Sequence, residues 1–253
     1  MRVMIITQNE PIYIADTVAS LIDKLLGKHE IVGCVVLSPS PFGKRETLIR
    51  KALKTLKIFG FRFFAYYTIK YILSKLTKKP LVSRLEEKNI PQIHLEKTIN
   101  DSSSLAEISK YKPDILISIA GNEIFKKPLI ELAQRGCLNL HTGLLPKYRG
   151  LMPTFWALKN NEKEIGVSVF YVDQGIDSGP ILVQRNVPVR NRVQSDLIKE
   201  TKKVGIDCVI EALTKIENES AVIYDNDDRQ STYFGFPSRG DVEAFKKSGA
   251  RFF

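Results

Sequence analysis

The stretch CLNLHTGLLPKYRG, residues 137–150, sets an amide and an imidazole two positions apart at the end of an apolar run, in a chain with only three histidines. Alternation along a strand puts Asn139 and His141 on one face and Leu140 on the other. A loop with proline and glycine follows at once, and further on comes DQGIDSG, residues 173–179, with two carboxylates. Amide, imidazole and carboxylate together suit transfer of an acyl-type group through a tetrahedral carbon. The Asn139 amide and a cationic His141 would donate to the oxygen where charge develops. A carboxylate held beside the imidazole favours its cationic form, and it can also take the proton shed by an attacking amine. Asp173 and Asp177 are the carboxylates at hand, and the chemistry calls for no metal.

Each of these residues also has a bland reading. Histidine at a strand end is usually structural, as His29 in its KHE turn and His94 in a short strand are taken to be. Asp173 and Asp177 are natural turn formers.

A parallel sheet can bring such residues to one edge. Apolar runs at 3–7, 30–37 (EIVGCVVL), 92–95, 114–120 (DILISIA) and 137–141 alternate with helical spacing at 14–26, 103–110 and 127–134. The pattern predicts an α/β, Rossmann-like, doubly wound and mostly parallel sheet. From Gly166 two strand-like runs, GVSVFYVD and ILVQRNVPVR, follow one another directly and predict a mixed edge. A long helix over 193–215 comes next, then AVIY, an NDD turn, STYFGF, and a short helix capped by Ser238. Residues 1–215 are read as the catalytic domain, with 216–253 as a strand-turn-strand and helix tail.

Composition is that of an ordinary globular protein, 43% hydrophobic and 26% charged. No stretch reaches the roughly 18 uncharged apolar residues of a membrane span. The N-terminal apolar run is too short for a secretory signal, so a cytoplasmic location is expected. Cys34, Cys137 and Cys208 lie in apolar runs and read as buried thiols. The net charge of +10 is concentrated: residues 44–79 hold eleven Lys or Arg against one Glu. This basic insert reads as two helices broken near Gly60, with an apolar face at Leu48, Leu53, Leu56 and Ile58, then Phe63, Tyr67, Ile69, Ile72 and Leu76. It suits a helical pair packed on the domain or on a second subunit, a peripheral contact with anionic lipid, or, less well, a nucleic-acid platform.

Taken together, Asn139-Leu-His141, the loop LLPKYRG at 144–150, the strand opening GVSV at 166–169 and DQGIDSG at 173–179 resemble the folate-dependent formyltransferase family. That family includes methionyl-tRNA, glycinamide ribonucleotide and sugar N-formyltransferases. The resemblance implies that Asn139, His141 and Asp177 are catalytic and that 10-formyltetrahydrofolate is the formyl donor. It also implies that Asp173, Gln174, Gly175 and Ile176 fold over the pteridine, with Gly175 allowing close approach. Ile124 and Phe125 are candidates for the apolar side of that pocket. Ligands of an open sheet sit beyond the carboxyl ends of its strands, so Gln8, Asn9 and Tyr13 are candidates to touch the acceptor. Lys147 and Arg149 are candidates to meet a phosphate, or else solvated loop charges.

No GxGxxG is present, so a nicotinamide or flavin is not expected. The phosphate loop of glycinamide ribonucleotide formyltransferases is missing after strand one. The 38 residues after 215 are too few for the β-barrel by which methionyl-tRNA formyltransferases hold tRNA. A small amine, foremost an amino sugar carried on a nucleotide, is therefore the expected acceptor, with methionyl-tRNA as the alternative. A non-catalytic relative that docks on a membrane or complex is a third possibility.

Overall fold

The computed structural model describes residues 1–38 and 47–253. The first residues of the basic insert, 44–46, lie outside them. The chain begins β1 (Arg2–Gln8), α1 (Ile14–Leu25), β2 (Glu30–Leu37), α2 (Leu48–Phe59), α3 (Phe61–Thr77), α4 (Leu81–Glu87), β3 (Gln92–Ile93) and α5 (Ser102–Ser109). It continues β4 (Ile115–Ile119), α6 (Lys127–Ile130), β5 (Cys137–His141), β6 (Arg149–Gly150), α7 (Pro153–Lys159), β7 (Glu164–Tyr171), β8 (Ile181–Pro188), α8 (Gln194–Glu217), β9 (Tyr233–Phe234) and α9 (Arg239–Lys247).

Seven strands form one sheet in the order β3-β2-β1-β4-β5-β7-β8. The first five are parallel; at the far edge β7 runs antiparallel to β5, and β8 antiparallel to β7. This is the α/β, Rossmann-like architecture with a mixed edge. All five residues of β4 are buried, as expected where helices cover both faces of a strand. On one side Val18, Leu21 and Leu25 of α1 and Val209 and Leu213 of α8 close the core; on the other, Ile108 of α5 and Leu129 of α6 do so.

The direction of winding reverses between β1 and β4, which opens a crevice at their carboxyl ends. Register defines what meets there. Ile6 lies opposite Ser118, and Ser118 opposite Asn139. Two residues further along each strand, Gln8 and His141 stand at one level, two strands apart, on the same face as Asn139.

Three expectations need adjustment. The helix expected over 127–134 closes after Ile130, because the chain must turn back: Arg135 N–H bonds the Asp114 carbonyl at 2.8 Å to start β5. AVIY forms only a bridge between Tyr224 and Ile181, and Val222 and Ile223 stay exposed, so there is no face for a strand to bury. The apolar residues of α3 do not share one face. Phe63 and Tyr67 point inward, while Ile69, Ile72 and Leu76 point out.

The tail is continuous with the main core. Phe245 and Phe252 stack at 4.5 Å, and Phe252 meets Phe59 of α2 and Phe63 of α3 edge-on at 5.8 and 4.7 Å. A capping box between Ser238 and Asp241 starts α9, which satisfies donors that a helix start leaves unpaired.

Candidate functional site

β5 delivers His141 to the crevice with 6% of its surface exposed. Its Nε2 lies 2.8 Å from the Tyr148 carbonyl, which can only accept, so Nε2 carries a hydrogen. Nδ1 faces Asp177 Oδ2 at 3.4 Å. At that distance the pair leaves room for an incoming oxygen beside Nδ1. Gly143 makes the arrangement possible: a Cβ there would stand 2.6 Å from Nε2 and 3.1 Å from the Tyr148 carbonyl.

Asp177 is held from three directions. Its Oδ2 accepts from Gly150 N–H at 2.8 Å, and its carbonyl accepts from Asn226 Nδ2 at 2.9 Å. Its backbone is left-handed, with φ 50°. Ala120, just past the end of β4, and Tyr148, whose carbonyl holds His141, share that conformation, at φ 55° and 62°. Such residues persist only where their surroundings overdetermine them, and they gather at functional sites. The other carboxylate oxygen of Asp177, Oδ1, accepts no hydrogen bond among the described residues.

Asn139 is half-buried, and its side-chain amide makes no hydrogen bond among the described residues. A partly buried amide left without partners at a strand end is poised for a ligand. Next to it, the loop of residues 142–148 is fastened by Ser168, whose Oγ donates to Gly143 at 2.8 Å and accepts from Leu145 N–H and Gln184 Nε2 at 3.2 and 3.0 Å.

The remaining predicted residues divide. Gln8 is half-buried on the His141 face, Asn9 is exposed, and Tyr13 lies under the insert, its hydroxyl accepting from Lys70 Nζ at 2.8 Å. Burial pushes the Tyr13 phenol up, and burial with neighbouring cations pushes the Lys70 amine down. Gln174, Gly175 and Ile176 are exposed at the rim, as is Ile124. Phe125 instead points into the core, 6% exposed, because Asn100 pulls the segment inward through bonds to the Ile124 carbonyl and Lys126 N–H, both 2.8 Å.

Asp173 closes its own turn, accepting from Gly175 N–H at 3.0 Å and Ser178 Oγ at 2.7 Å. The space beside Gly175 is filled by that Ser178 hydroxyl, which a Cβ would meet at 1.9 Å. A side chain there would have to displace that hydroxyl from Asp173. Lys147 is exposed.

Arg149 is neither a solvated charge nor open to a phosphate. It is buried, with Nη1 on Asp228 at 2.6 Å and Nη2 on the Asn226 carbonyl and Oδ1, each at 2.9 Å. Asn226 then donates to the carbonyls of Asp177 and Gly179. Its amide thus locks the carboxylate loop to the tail. β9 pairs with β6, and Thr232 Oγ1 accepts from Tyr148 N–H at 2.8 Å. Burial, reinforced by Glu162, pushes the Tyr148 phenol up to about 12, so it stays neutral. Asn226, Asp228, Ser168 and Tyr148 were not among the residues singled out from sequence. Their roles come from contacts distant in the chain, and NDD read alone signals only a turn.

An open sheet with its crevice at a switch point, carrying amide, imidazole and carboxylate on one rim, defines an α/β protein built to bind small molecules at its strand ends. The formyl transferase family profile matches residues 69–213, more than half of the chain, and the chain belongs to that family. A methionyl-tRNA formyltransferase of Kosmotoga olearia is 36% identical over 160 residues, which cover 63% of this chain and 51% of that one. One from Thermotoga neapolitana is 33% identical over 177 residues, 70% of this chain and 56% of that one. The chain thus spans about half the length of the curated relatives it matches. An N-formyltransferase from Helicobacter canadensis, in complex with folinic acid and dTDP-3-aminofucose, shares the fold at 18% identity and TM-score 0.61, over 98% of this chain and 80% of its own. Phosphoribosylglycinamide formyltransferase from Anaplasma phagocytophilum does so at 14% identity and TM-score 0.64, over 94% and 99%.

Proposed function

We propose that this chain transfers a formyl group from 10-formyltetrahydrofolate to a primary amine, with Asn139, His141 and Asp177 as its catalytic residues. The observation that carries the reading is the Asn139 amide, without a partner among the described residues, on the rim that also holds the His141–Asp177 pair. The donor set suits the folate: the exposed backbone of 174–176 and the Ile176 and Ile124 side chains offer polar and apolar contacts at that rim. When bound, the folate supplies an activated formyl carbon.

Asn139 and His141 Nδ1–H donate to the oxygen on which negative charge develops. Each such donor is worth on the order of 10²–10³ in rate. Asp177 orients the imidazole through Oδ2 and receives the amine proton, directly or through water, at Oδ1. The Tyr148 carbonyl fixes the ring by holding Nε2–H. Residues 1–215 supply this machinery, and 216–253 brace it through Asn226.

For the acceptor we favour an amino sugar carried on a nucleotide. Tyr13, with Lys70 against it, lies just past the carboxyl end of β1, where an aromatic ring and a cation suit a phosphate-bearing ligand. That a neighbour of this fold forms a complex with folinic acid and dTDP-3-aminofucose supports the choice. Methionyl-tRNA is the alternative, favoured by the identity to the Kosmotoga enzyme.

The protein incubated with 10-formyltetrahydrofolate and either a panel of nucleotide-linked amino sugars or methionyl-tRNA should form tetrahydrofolate only with a sugar. His141→Ala should lose that turnover while remaining folded, as circular dichroism at low temperature would show. Turnover with methionyl-tRNA alone would reassign the acceptor, and turnover with neither would sink the reading.

A further inference from the structure

α3 is amphipathic in an unusual sense: one side is committed to the protein and the other is equally apolar. Inward lie Phe63, Tyr67, Lys70 and the buried Ser74, spaced four, three and four apart. Phe63 packs against Phe252, and Tyr66 stacks on Phe253 at 3.8 Å. Outward lie Phe61, Ile69, Ile72 and Leu76, 73%, 59%, 51% and 77% exposed. α2 repeats the pattern. Phe59 is buried against Phe236 and Phe252, while Ile49, Leu53 and Leu56, spaced four and three, are exposed. A helix apolar all round is normally covered, and an exposed apolar surface of this extent marks an interaction site.

The charges identify the partner. Residues 47–79 contain nine Lys or Arg and no acidic residue. Arg50, Lys57, Arg62, Lys75 and Lys79 are all exposed. On α2, Arg50 and Lys57 each follow an outward apolar residue by one position, and on α3 Arg62 follows Phe61. A second copy of the chain would bring two such cationic faces together. RNA would call for exposed rings on which bases stack, yet here most of the aromatics point inward and the outward residues are mainly aliphatic. Aliphatic side chains flanked by cations suit an interface between acyl chains and anionic headgroups. Among the described residues no helix is long and apolar enough to cross a membrane; the contact is peripheral.

We infer that α2 and α3 dock this protein on an anionic lipid surface, with Ile69, Ile72 and Leu76 entering the headgroup–acyl boundary. The inference does not depend on formyl transfer. α3 joins the two regions, since its inner face carries the Lys70 that bonds Tyr13.

The test is cosedimentation of the full chain with vesicles of phosphatidylcholine, with and without phosphatidylglycerol. Binding is expected only to the anionic vesicles, and it should fall as salt is raised. The triple variant Ile69→Ser, Ile72→Ser, Leu76→Ser and the triple variant Arg50→Glu, Lys57→Glu, Arg62→Glu should each weaken binding about tenfold or more with an unchanged melting temperature. His141→Ala should bind vesicles like the parent, which keeps the failure of docking distinct from the failure of catalysis. Three results would each overturn the inference: no binding to anionic vesicles, equal binding to both kinds, or a dimer in solution that the aliphatic variant dissolves.

Discussion

The rim of the sheet and the outer face of the basic insert are opposites in what each leaves unpaired. Around His141 and Asp177 most polar groups are accounted for. Arg149 bonds through both Nη atoms, its buried Nε alone unpaired, and Asn226, Tyr148 and Ser168 each bond named partners; facing the crevice, the Asn139 amide and one oxygen of Asp177 have no partner among the described residues. On α2 and α3 it is apolar groups that lack partners, from Ile49 to Leu76. A half-buried polar group without a protein partner is free to take one from a ligand. An exposed apolar stripe implies that something covers it in use. The same rule of satisfaction, applied to polar groups in one place and apolar groups in the other, points to two functional surfaces in one chain.

The sharpest way to break this comparison is at Asn139. If its amide is held for a substrate, Asn139→Ala should cost on the order of 10²–10³ in kcat and nothing in melting temperature, because no protein partner is lost. Steady-state turnover beside thermal unfolding checks this. A large loss of stability with little loss of rate would place Asn139 among the structural residues instead.

Asn226 should behave in the reverse way. Asn226→Ala strips partners from the Arg149 guanidinium and from two carbonyls of the carboxylate loop. Removing one member of a buried, charge-assisted network costs about 3 kcal/mol. Asp177 keeps its bond from Gly150 N–H, so the activity left at low temperature should exceed that of Asn139→Ala. Chemical denaturation measures the first effect and turnover the second.

How much of this was legible in the sequence follows from the same contrast. The sheet was, because the EIVGCVVL and DILISIA runs are continuous apolar strands with helical spacing between them. The rim residues were as well, since Asn139 and His141 are local to β5 and DQGIDSG is a compact turn. The brace was not. Asn226 reaches Arg149 and Asp177 across 77 and 49 residues, and no local pattern announces such a contact. Arg149 could be read as a phosphate ligand for that reason; only the fold shows Asp228 neutralising it. On α3, periodicity placed Phe63, Tyr67, Ile69, Ile72 and Leu76 on one side, because a helix apolar on both faces has no single stripe to find.

Lys202 of α8 falls between the two regions, a cation that is largely buried with no hydrogen bond or ion pair among the described residues. Burial pushes its amine down to about 8 from the ordinary 10.5, with Glu10 opposing. A lysine whose amine is depressed in the folded state costs stability in full below about pH 8. The cost fades as pH rises toward 10.5, where the unfolded chain loses its proton as well. Lys202→Met should therefore stabilise the protein by about 2 kcal/mol at neutral pH, an advantage that shrinks steadily on going to about pH 10. Melting curves of parent and variant across that range test it. A constant difference would show that packing, not charge, is what the methionine changes.

The smallest expected effect bears most directly on the outer face. Leu76 is 77% exposed, so Leu76→Ser should alter the free energy of unfolding by no more than about 0.5 kcal/mol. Phe59, on the inner side of the same hairpin, stands at 3% and packs against Phe63, Phe236 and Phe252. Phe59→Ala should cost about 3–5 kcal/mol. The two substitutions remove apolar groups less than twenty residues apart, and the fold should register only one of them. If Leu76→Ser proved as costly as Phe59→Ala, the outer stripe would already be covered in the free protein, and a lipid surface would have nothing left to contact.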